Sequence, residues 1–119
     1  MIAERVFESS QFMQPSGDND PIRSVVTQTA DATIIAWYVN PGQKIRAHIH
    51  PNGQDTWTIL SGEADYLVDL YGTTRKIRTG DIVVAHAKEV HGVHNNGEAP
   101  FIFISVVSPA DAGYELLEA

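Results

Sequence analysis

The 119-residue sequence contains no cysteine, and this absence excludes several kinds of chemistry. Without a thiol, the chain cannot form a disulfide, bind a metal through thiolates or use a cysteine nucleophile. The first residues also lack an apolar run long enough for a signal peptide or a membrane span. We therefore predict a cytoplasmic protein that does not insert into a membrane.

Positive charge is scarce as well. The chain has 8 Lys and Arg against 15 Asp and Glu, which gives a net charge of −7. An acidic surface repels phosphate backbones, so nucleic acid is not an expected partner. Hydrophobic residues make up 43% of the chain, which is enough for a packed core, and the length suits one domain. We predict a single domain over residues 1–119.

Long helical apolar periods are also missing, while short β-branched and aromatic stretches recur between turns. Segments of this kind separated by Gly, Pro and Asn are typical of an all-β barrel or sandwich. Residues 1–20 form an N-terminal arm in which residues 5–7 could be a short strand that pairs with another subunit. The other predicted strands include residues 24–29, 33–39, 56–60, 64–70, 82–85, 90–95 and 101–107.

The five histidines are confined to two blocks between residues 48 and 94. His48 and His50 are two apart, so in a strand both imidazoles face the same side. Asp55 follows after a short turn, and His91 lies far downstream. Three imidazoles and a carboxylate suit a divalent transition metal, and the chemistry permits Fe, Mn, Ni, Zn, Co or Cu.

The spacing of these residues resembles that of a known superfamily, the cupins. The first cupin motif is matched by Gly42, His48, His50, Asp55 and Gly62, with Asp in place of the usual Glu. The second is matched by Gly80, His91 and Asn95, while His86 replaces a usual Pro and Lys88 a usual Gly. The resemblance implies a jelly-roll β-barrel with a metal in its mouth, and it also implies a homodimer.

The proposed metal ligands are His48, His50, Asp55 and His91. Three roles are open for Asp55, which is shorter than the usual Glu: a direct ligand, a ligand through water, or a group that orients a histidine. Gln54 is the neighbouring alternative. For the remaining histidines and Asn95, the strand pattern predicts a surface position for His94, a solvated loop for His86 and a structural role for Asn95.

Three further residues are candidates for binding a substrate. Arg46 precedes His48 by two, so a regular strand would place its cation beside the metal, where it suits an anionic group. An exposed arginine at the strand start is the alternative. Trp57 follows Asp55 by two and is expected to line the cavity, although core packing explains it equally well. Tyr66 is either a cavity residue or part of the core.

These features favour a metal-dependent enzyme acting on a small organic molecule, such as a carboxylate or a sugar-derived compound. Oxygenation and redox-neutral isomerisation or lyase chemistry are both open, and the sequence assigns no catalytic residue. A non-catalytic module that binds a metal and a small ligand is the alternative. A metal-free epimerase type of cupin is a third class, because it needs a His–carboxylate pair but little metal affinity.

Overall fold

The computed structural model describes residues 4–117, and their secondary structure is almost entirely β. One 3₁₀ helix, Ser9–Phe12, precedes ten strands. The strands are β1 (Ser24–Gln28), β2 (Thr33–Val39), β3 (Lys44–Ile49), β4 (Gln54–Ser61), β5 (Glu63–Leu67), β6 (Thr74–Arg78), β7 (Ile82–Ala85), β8 (His91–His94), β9 (Phe101–Ser108) and β10 (Glu115–Leu116). The predicted all-β fold class is confirmed.

The strands form two five-stranded antiparallel sheets that pack face to face. The order in the first sheet is β1-β2-β9-β4-β7, and in the second it is β10-β3-β8-β5-β6. Neighbours in space are often distant in sequence, as in a jelly roll, in which the chain crosses repeatedly between two sheets. Among residues 4–117, no helix is long and apolar enough to cross a membrane.

Strict alternation along β9 shows how the sequence produces the packed interior. Phe101, Phe103, Ser105 and Val107 are buried, while the residues between them are half-exposed. Successive side chains of a strand point to opposite faces, so alternate positions face the second sheet. β2 and β4 flank β9 and turn the same face inward.

One end of the interior is filled by an apolar cluster. Phe101 and Phe103 are fully buried there, and the ring of Trp57 lies 4.3 Å from that of Phe103, centroid to centroid. Burying a large apolar side chain of this kind contributes about 1.5–3 kcal/mol to folding. The other buried members are Val39, Ile59, Ala64, Tyr66, Ile77 and Val93.

In the N-terminal arm, residues 1–3 lie outside the described residues, and the pairing of residues 5–7 with another subunit stays a prediction. Residues 5–7 form no strand within the chain, and the 3₁₀ helix follows them. The arm instead packs beside β1, where the side-chain amide of Gln14 donates to the hydroxyl of Ser24 at 2.9 Å.

The predicted strand over residues 64–70 is also too long. β5 ends at Leu67, and Val68 and Leu70 are exposed. The carboxylate of Asp69 accepts hydrogen bonds from the backbone N–H groups of Tyr71 and Thr73. This Asx-type turn begins the hairpin before the apolar alternation ends.

Gly62 is the second glycine of the first motif, and its backbone conformation explains why glycine stands there. It joins β4 to β5 at φ +84°, in the left-handed region. A Cβ there would collide with the carbonyl oxygen of Pro100, which lies against the turn. Only glycine meets both conditions at low cost.

Candidate metal centre

Four of the side chains predicted as ligands meet at one end of the interior. His48 lies in β3 and is the direct cross-strand partner of His91 at the start of β8, while His50 follows the end of β3. Asp55 is the second residue of β4, in the facing sheet. All four are buried, and one potential ligand atom from each lies within 4.8 Å of those of the others. The two sheets together therefore make one cluster.

The carboxylate of Asp55 sits among the imidazoles. Its Oδ2 atom is 3.1 Å from Nε2 of His91 and 3.4 Å from Nε2 of His50. The shorter side chain therefore reaches the histidines, because β4 starts directly opposite them. Gln54 is exposed and lies outside the cluster.

Backbone carbonyls fix which imidazole nitrogen faces the centre. The Nδ1 atoms of His48, His50 and His91 lie 2.6, 2.7 and 3.2 Å from the carbonyl oxygens of Arg46, Gly113 and Glu89. A carbonyl oxygen can only accept, so each Nδ1 carries the proton in the neutral ring. Each Nε2 then presents a lone pair to the cluster, as in histidines that bind metals.

The donor set fits a cation. Within residues 4–117, Nε2 of His50 and Oδ1 of Asp55 are buried without a hydrogen-bond partner. Lone pairs of three neutral imidazoles directed at a carboxylate repel one another unless a positive group lies between them. Two ligands about 2.1 Å from one ion lie about 3.0–3.4 Å apart at octahedral or tetrahedral angles. The observed separations of 3.1 and 3.4 Å match that range.

Local electrostatics shift the pKa values of three of these groups in different directions. Burial, followed by the charge of neighbouring His91, lowers the pKa of His48 to about 4. Burial acts in the same direction on His50, but hydrogen bonds with Asp55 and the Gly113 carbonyl outweigh it and raise the pKa of His50. Burial would raise the pKa of Asp55, yet the contacts of its carboxylate with His50 and His91 hold this pKa well below its usual value. Asp55 is therefore the anion of the cluster.

The loop before β8, residues 86–90, positions His91 at the start of that strand. The carboxylate of Glu89 accepts from the backbone N–H and from Nδ1 of His86, at 2.8 and 2.7 Å. Lys88 stands where the motif has glycine and keeps the left-handed conformation, at φ 67°. Its N–H donates to the carbonyl of His50 at 3.0 Å. The loop thus ties the two histidine segments together at a backbone cost of about 1–2 kcal/mol at Lys88.

A cavity of about 660 Å³ opens beside the cluster. His48, His50 and Asp55 form part of its wall. The remaining wall is largely apolar, with charged and phenolic groups supplied by residues outside both motifs. These wall residues are Arg23, Thr33, Ile35, Trp37, Ile45, Trp57, Ser105, Val107, Ala110, Asp111, Gly113 and Tyr114.

The three candidate substrate residues occupy different places. Trp57 lines the cavity at 2% exposure. Tyr66 lies behind it in the apolar core, with its ring edge-on to Trp57 at 5.4 Å. The Arg46 side chain lines two neighbouring grooves instead, 4.0 Å from Asp20. A bulge in β3 between Ile45 and His48 breaks the regular alternation that would have placed Arg46 beside the metal ligands.

The other motif residues lie where the strand pattern places them. His94 is exposed at the end of β8, and His86 is exposed in the loop before it. Asn95 is completely buried, and its amide donates to the carbonyls of Val39 and Ala99 at 3.0 and 2.9 Å. It also accepts from the N–H of Gly97, so its role is to hold the turn after β8.

The sequence-based prediction missed the C-terminal segment of the site. Gly113, at φ +82°, turns its carbonyl to His50, and the ring centroid of Tyr114 lies 5.0 Å from that of His48. β10 holds this segment by pairing with β3. A glycine followed by an aromatic residue and a two-residue strand carries no periodic signal, and Arg23 before β1 carries none either.

Comparisons with known proteins agree with this architecture. Residues 36–107, more than half the chain, match the sequence model of the family described as Cupin domain. No curated protein matches the chain. An uncharacterized conserved protein with a double-stranded β-helix domain from Klebsiella pneumoniae has a crystal structure with 45% identity and a TM-score of 0.92. The match covers 98% of this chain and all of that one.

Two more distant crystal structures share the fold. TT1209 from Thermus thermophilus has 20% identity and a TM-score of 0.80, over 88% of this chain and 97% of that one. The DMSP lyase DddQ from Ruegeria pomeroyi has 21% identity and a TM-score of 0.64, over 75% of this chain and 44% of that one. The match of residues 36–107 to the family model establishes that the chain belongs to the cupin family, and the two packed sheets and the motif spacing agree with it.

Proposed function

We propose that the protein is a metal-dependent enzyme that uses His48, His50, Asp55 and His91 to bind one divalent transition metal. The observation that carries this proposal is the Asp55 carboxylate, 3.1 and 3.4 Å from the Nε2 atoms of two buried imidazoles. Such a group is costly without a cation and well formed with one. The cavity of about 660 Å³ beside it is large enough for a small organic molecule.

The ligand set favours redox-neutral chemistry, such as isomerisation or a lyase reaction, over oxygenation. A bound metal would supply Lewis acidity to polarise a substrate oxygen. An anionic fourth ligand takes one of the positions that would otherwise be open for a substrate together with dioxygen. The DMSP lyase among the structural neighbours is a lyase on this fold, although at 21% identity that likeness supports the fold alone.

The substrate class that the cavity fits best is a small anion with an apolar body. Arg23 lines the cavity, and its charge lowers the proton affinity of His50. A divalent ion beside one ionised Asp55 leaves the centre positive, although the chain carries −7 overall. Apolar walls from Ile35 and Trp37 suit a hydrocarbon part. Asp111 also lines the cavity, but the divalent ion and Arg23 together outweigh the two carboxylates, and a positive pocket in an acidic protein concentrates anions.

Tyr114 is placed to act on a bound molecule. It lines the cavity beside His48, and burial raises the pKa of its phenol. The hydroxyl therefore stays protonated at neutral pH and can donate a hydrogen bond to a substrate oxygen. Tyr114 is not part of the ligand set, so its hydroxyl remains available to a bound molecule.

The metal is tested on protein purified without chelator. Elemental analysis by plasma mass spectrometry should find about one divalent transition metal per chain, and dialysis against chelator should remove it. Protein that remains metal-free after equilibration with Mn, Fe, Co, Ni, Cu and Zn in turn would contradict the proposal.

The substrate class is tested on the metal-loaded protein. Small carboxylates should raise the melting temperature, while their amide analogues should not. Arg23→Gln should weaken carboxylate binding about 10-fold, and Arg75→Gln on the exposed hairpin should leave it unchanged. Ligands that bind tightly but are recovered unchanged, without exchange of any proton with solvent, would indicate the non-catalytic binding module instead.

The proposal also covers the cellular compartment and the oligomeric state of the protein. A chain without cysteine suits a reducing compartment such as the cytoplasm. Fractionation of the source cells checks the compartment. A homodimer is the assembly that we propose, and light scattering of the purified protein checks it.

A further inference from the structure

Trp57 carries a buried polar group beside the metal centre. Within residues 4–117, its indole Nε1 is one of three buried side-chain atoms without a hydrogen-bond partner. The other two are Nε2 of His50 and Oδ1 of Asp55. All three atoms belong to residues that line the same cavity. An indole nitrogen can only donate, so this N–H needs an acceptor, and the other two atoms can both accept.

Of these two acceptors, Oδ1 of Asp55 is the one that remains free. Nε2 of His50 is the atom that this imidazole presents to the proposed metal. Oδ2 of Asp55 takes the contacts with His91 and His50, at 3.1 and 3.4 Å, whereas Oδ1 has none. A buried donor and a buried acceptor that stay unpaired cost about 1–3 kcal/mol each. The indole N–H and Oδ1 therefore each lack the group that the other offers.

The strand brings the two side chains to the same place. Asp55 and Trp57 are two apart in β4, and the pairing of β4 with β7 and β9 is regular across both positions. Both side chains therefore point inwards, with their Cα atoms about 7 Å apart. They are 4% and 2% exposed. No solvent reaches this space to satisfy either group.

Packing holds the indole ring, so the direction of its N–H is set by the fold. The ring centroid lies 4.3 Å from that of Phe103 and 5.4 Å from that of Tyr66. On a third side it meets the ring of His91 edge-on at 5.8 Å. A ring enclosed in this way turns little, because interiors are densely packed. The smaller carboxylate of Asp55 is the group that adjusts.

The charge of Asp55 is consistent with this pairing. Burial would raise the pKa of the carboxyl group, but the contacts with His50 and His91 lower it, and the indole of Trp57 also lowers it. The N–H is thus close enough to favour the anion, although it does not make a hydrogen bond of ordinary geometry.

We propose that Trp57 is a positioning residue of the metal centre, whose indole N–H donates to Oδ1 of Asp55 and leaves Oδ2 for the metal. This inference rests on the proposed metal site. Asp is shorter than the usual Glu of the motif, and an anchor on its far oxygen keeps the near oxygen turned towards the imidazoles. A carboxylate that binds through one oxygen leaves a further position of the metal open to a substrate.

The first test is the zinc affinity of Trp57→Phe, measured by competition with a fluorescent chelator. Phenylalanine keeps an aromatic ring but has no N–H, and the affinity should fall about 10-fold, as for other lost partners of a ligand. Trp37→Phe is the matched control. Trp37 lines the same cavity and stacks on the other partner ring, Phe103, at 6.2 Å, but it is not next to Asp55 in β4, so zinc affinity should not change.

A second variant separates the N–H from the volume of the ring. In the Trp37→Phe background, Trp57 is replaced by benzothienylalanine, which has the shape of tryptophan with sulfur in place of the N–H. Zinc affinity should again fall about 10-fold. Wild-type affinity in this protein, together with a loss in Trp57→Phe, would show that packing alone is responsible and would overturn the inference.

The hydrogen bond itself is observed by nuclear magnetic resonance. The chain has two tryptophans and so two indole N–H signals, and Trp57→Phe identifies one of them. Saturating zinc should move the Trp57 signal downfield in the wild type but not in Asp55→Ala.

The outcomes distinguish this inference from the proposed function. A wild type without zinc affinity would refute the metal site itself. Tight and equal zinc binding by the wild type and Trp57→Phe would overturn only the role of Trp57. Unchanged zinc affinity with weaker carboxylate binding in Trp57→Phe would also overturn it, because the N–H would then serve the substrate.

Discussion

One end of the barrel interior is packed with apolar side chains and the other with polar ones, although the same strands run through both. At one end, Phe101, Phe103 and Ile59 are buried with apolar neighbours on every side. At the other end, three imidazoles and Asp55 are buried together, and Nε2 of His50 and Oδ1 of Asp55 have no hydrogen-bond partner. β4 contributes Ile59 to the first end and Asp55 to the second, four residues apart.

The apolar end mainly contributes stability, whereas the polar end mainly contributes function. The apolar end lowers the free energy of the folded chain by removing hydrocarbon from water. The polar end raises it in the metal-free protein, because buried acceptors lack donors. We infer that the apolar end supports the strain of the cluster, and that metal binding relieves that strain. Substitutions at the two ends should therefore have separable effects.

The largest effect on stability is expected at the apolar end. Phe103→Ala should lower the free energy of unfolding by about 3–5 kcal/mol, since it removes a fully buried ring and leaves a cavity. Urea unfolding measures the loss. Leu70→Ala, at an exposed hairpin residue, is the control and should change stability by less than about 0.5 kcal/mol. The Phe103→Ala protein that remains folded should still bind metal; loss of both properties together would show that the two ends are not separable.

At the polar end, His91→Ala should lower metal affinity more than about 100-fold, because it removes a ligand rather than an outer partner. Competition with a fluorescent chelator measures the affinity. His94→Ala changes a histidine three residues away, which is exposed, and should leave the affinity unchanged. Equal affinities in the two variants would remove His91 from the site.

Asp55→Asn tests the contrast between the two ends, because it should lower metal affinity and raise the stability of the metal-free protein. The amide keeps the shape but removes the anion, so metal affinity should fall about 10- to 100-fold. In metal-free protein, its NH₂ group can donate to the Nε2 lone pairs of His50 and His91, and the melting temperature should rise. A lower melting temperature in the metal-free variant would show that the cluster is not strained.

The pH dependence of metal binding should reveal the unequal histidines. A proton competes with the metal wherever the pH lies below the pKa of the metal-free imidazole. The pKa of His50 is raised, so its proton competes already above pH 6.5; the pKa of His48 is lowered to about 4, so its proton competes only below that pH. Between about pH 5 and 7, metal affinity should fall with decreasing pH. The slope of log affinity against pH, which counts the protons displaced per metal, should be less than three. A slope of three would contradict this difference.

The smallest effect is expected in the loop between the two histidine segments. Lys88→Gly should raise the free energy of unfolding by about 1 kcal/mol or less, because glycine adopts the left-handed conformation without strain. Thermal unfolding measures the gain, and metal affinity should not change. Destabilisation would mean that the Lys88 side chain contributes contacts that offset its backbone strain.

Much of this protein follows from local patterns in the sequence. A run of β-branched and aromatic residues predicts that 33–39 is a strand, and β2 has these bounds. The two-residue spacing of His48 and His50 and the motif position of Asp55 predict one cluster with His91, and the four side chains meet. These predictions succeed because a strand has a period of two and because motif spacing reflects fixed strand and turn lengths.

Other features depend on contacts between segments that are distant in sequence. The bulge in β3 turns Arg46 away from the cavity, and the capping of the hairpin by Asp69 ends β5 early. Arg23 and Tyr114 reach the cavity because β10, which follows Tyr114, pairs with β3 and because the segment before β1 lies beside the cavity. Periodicity tells which side of a strand is buried. Tertiary packing decides which loop covers that side and which charged residue lines the cavity, because non-local pairing sets the register and the bulges.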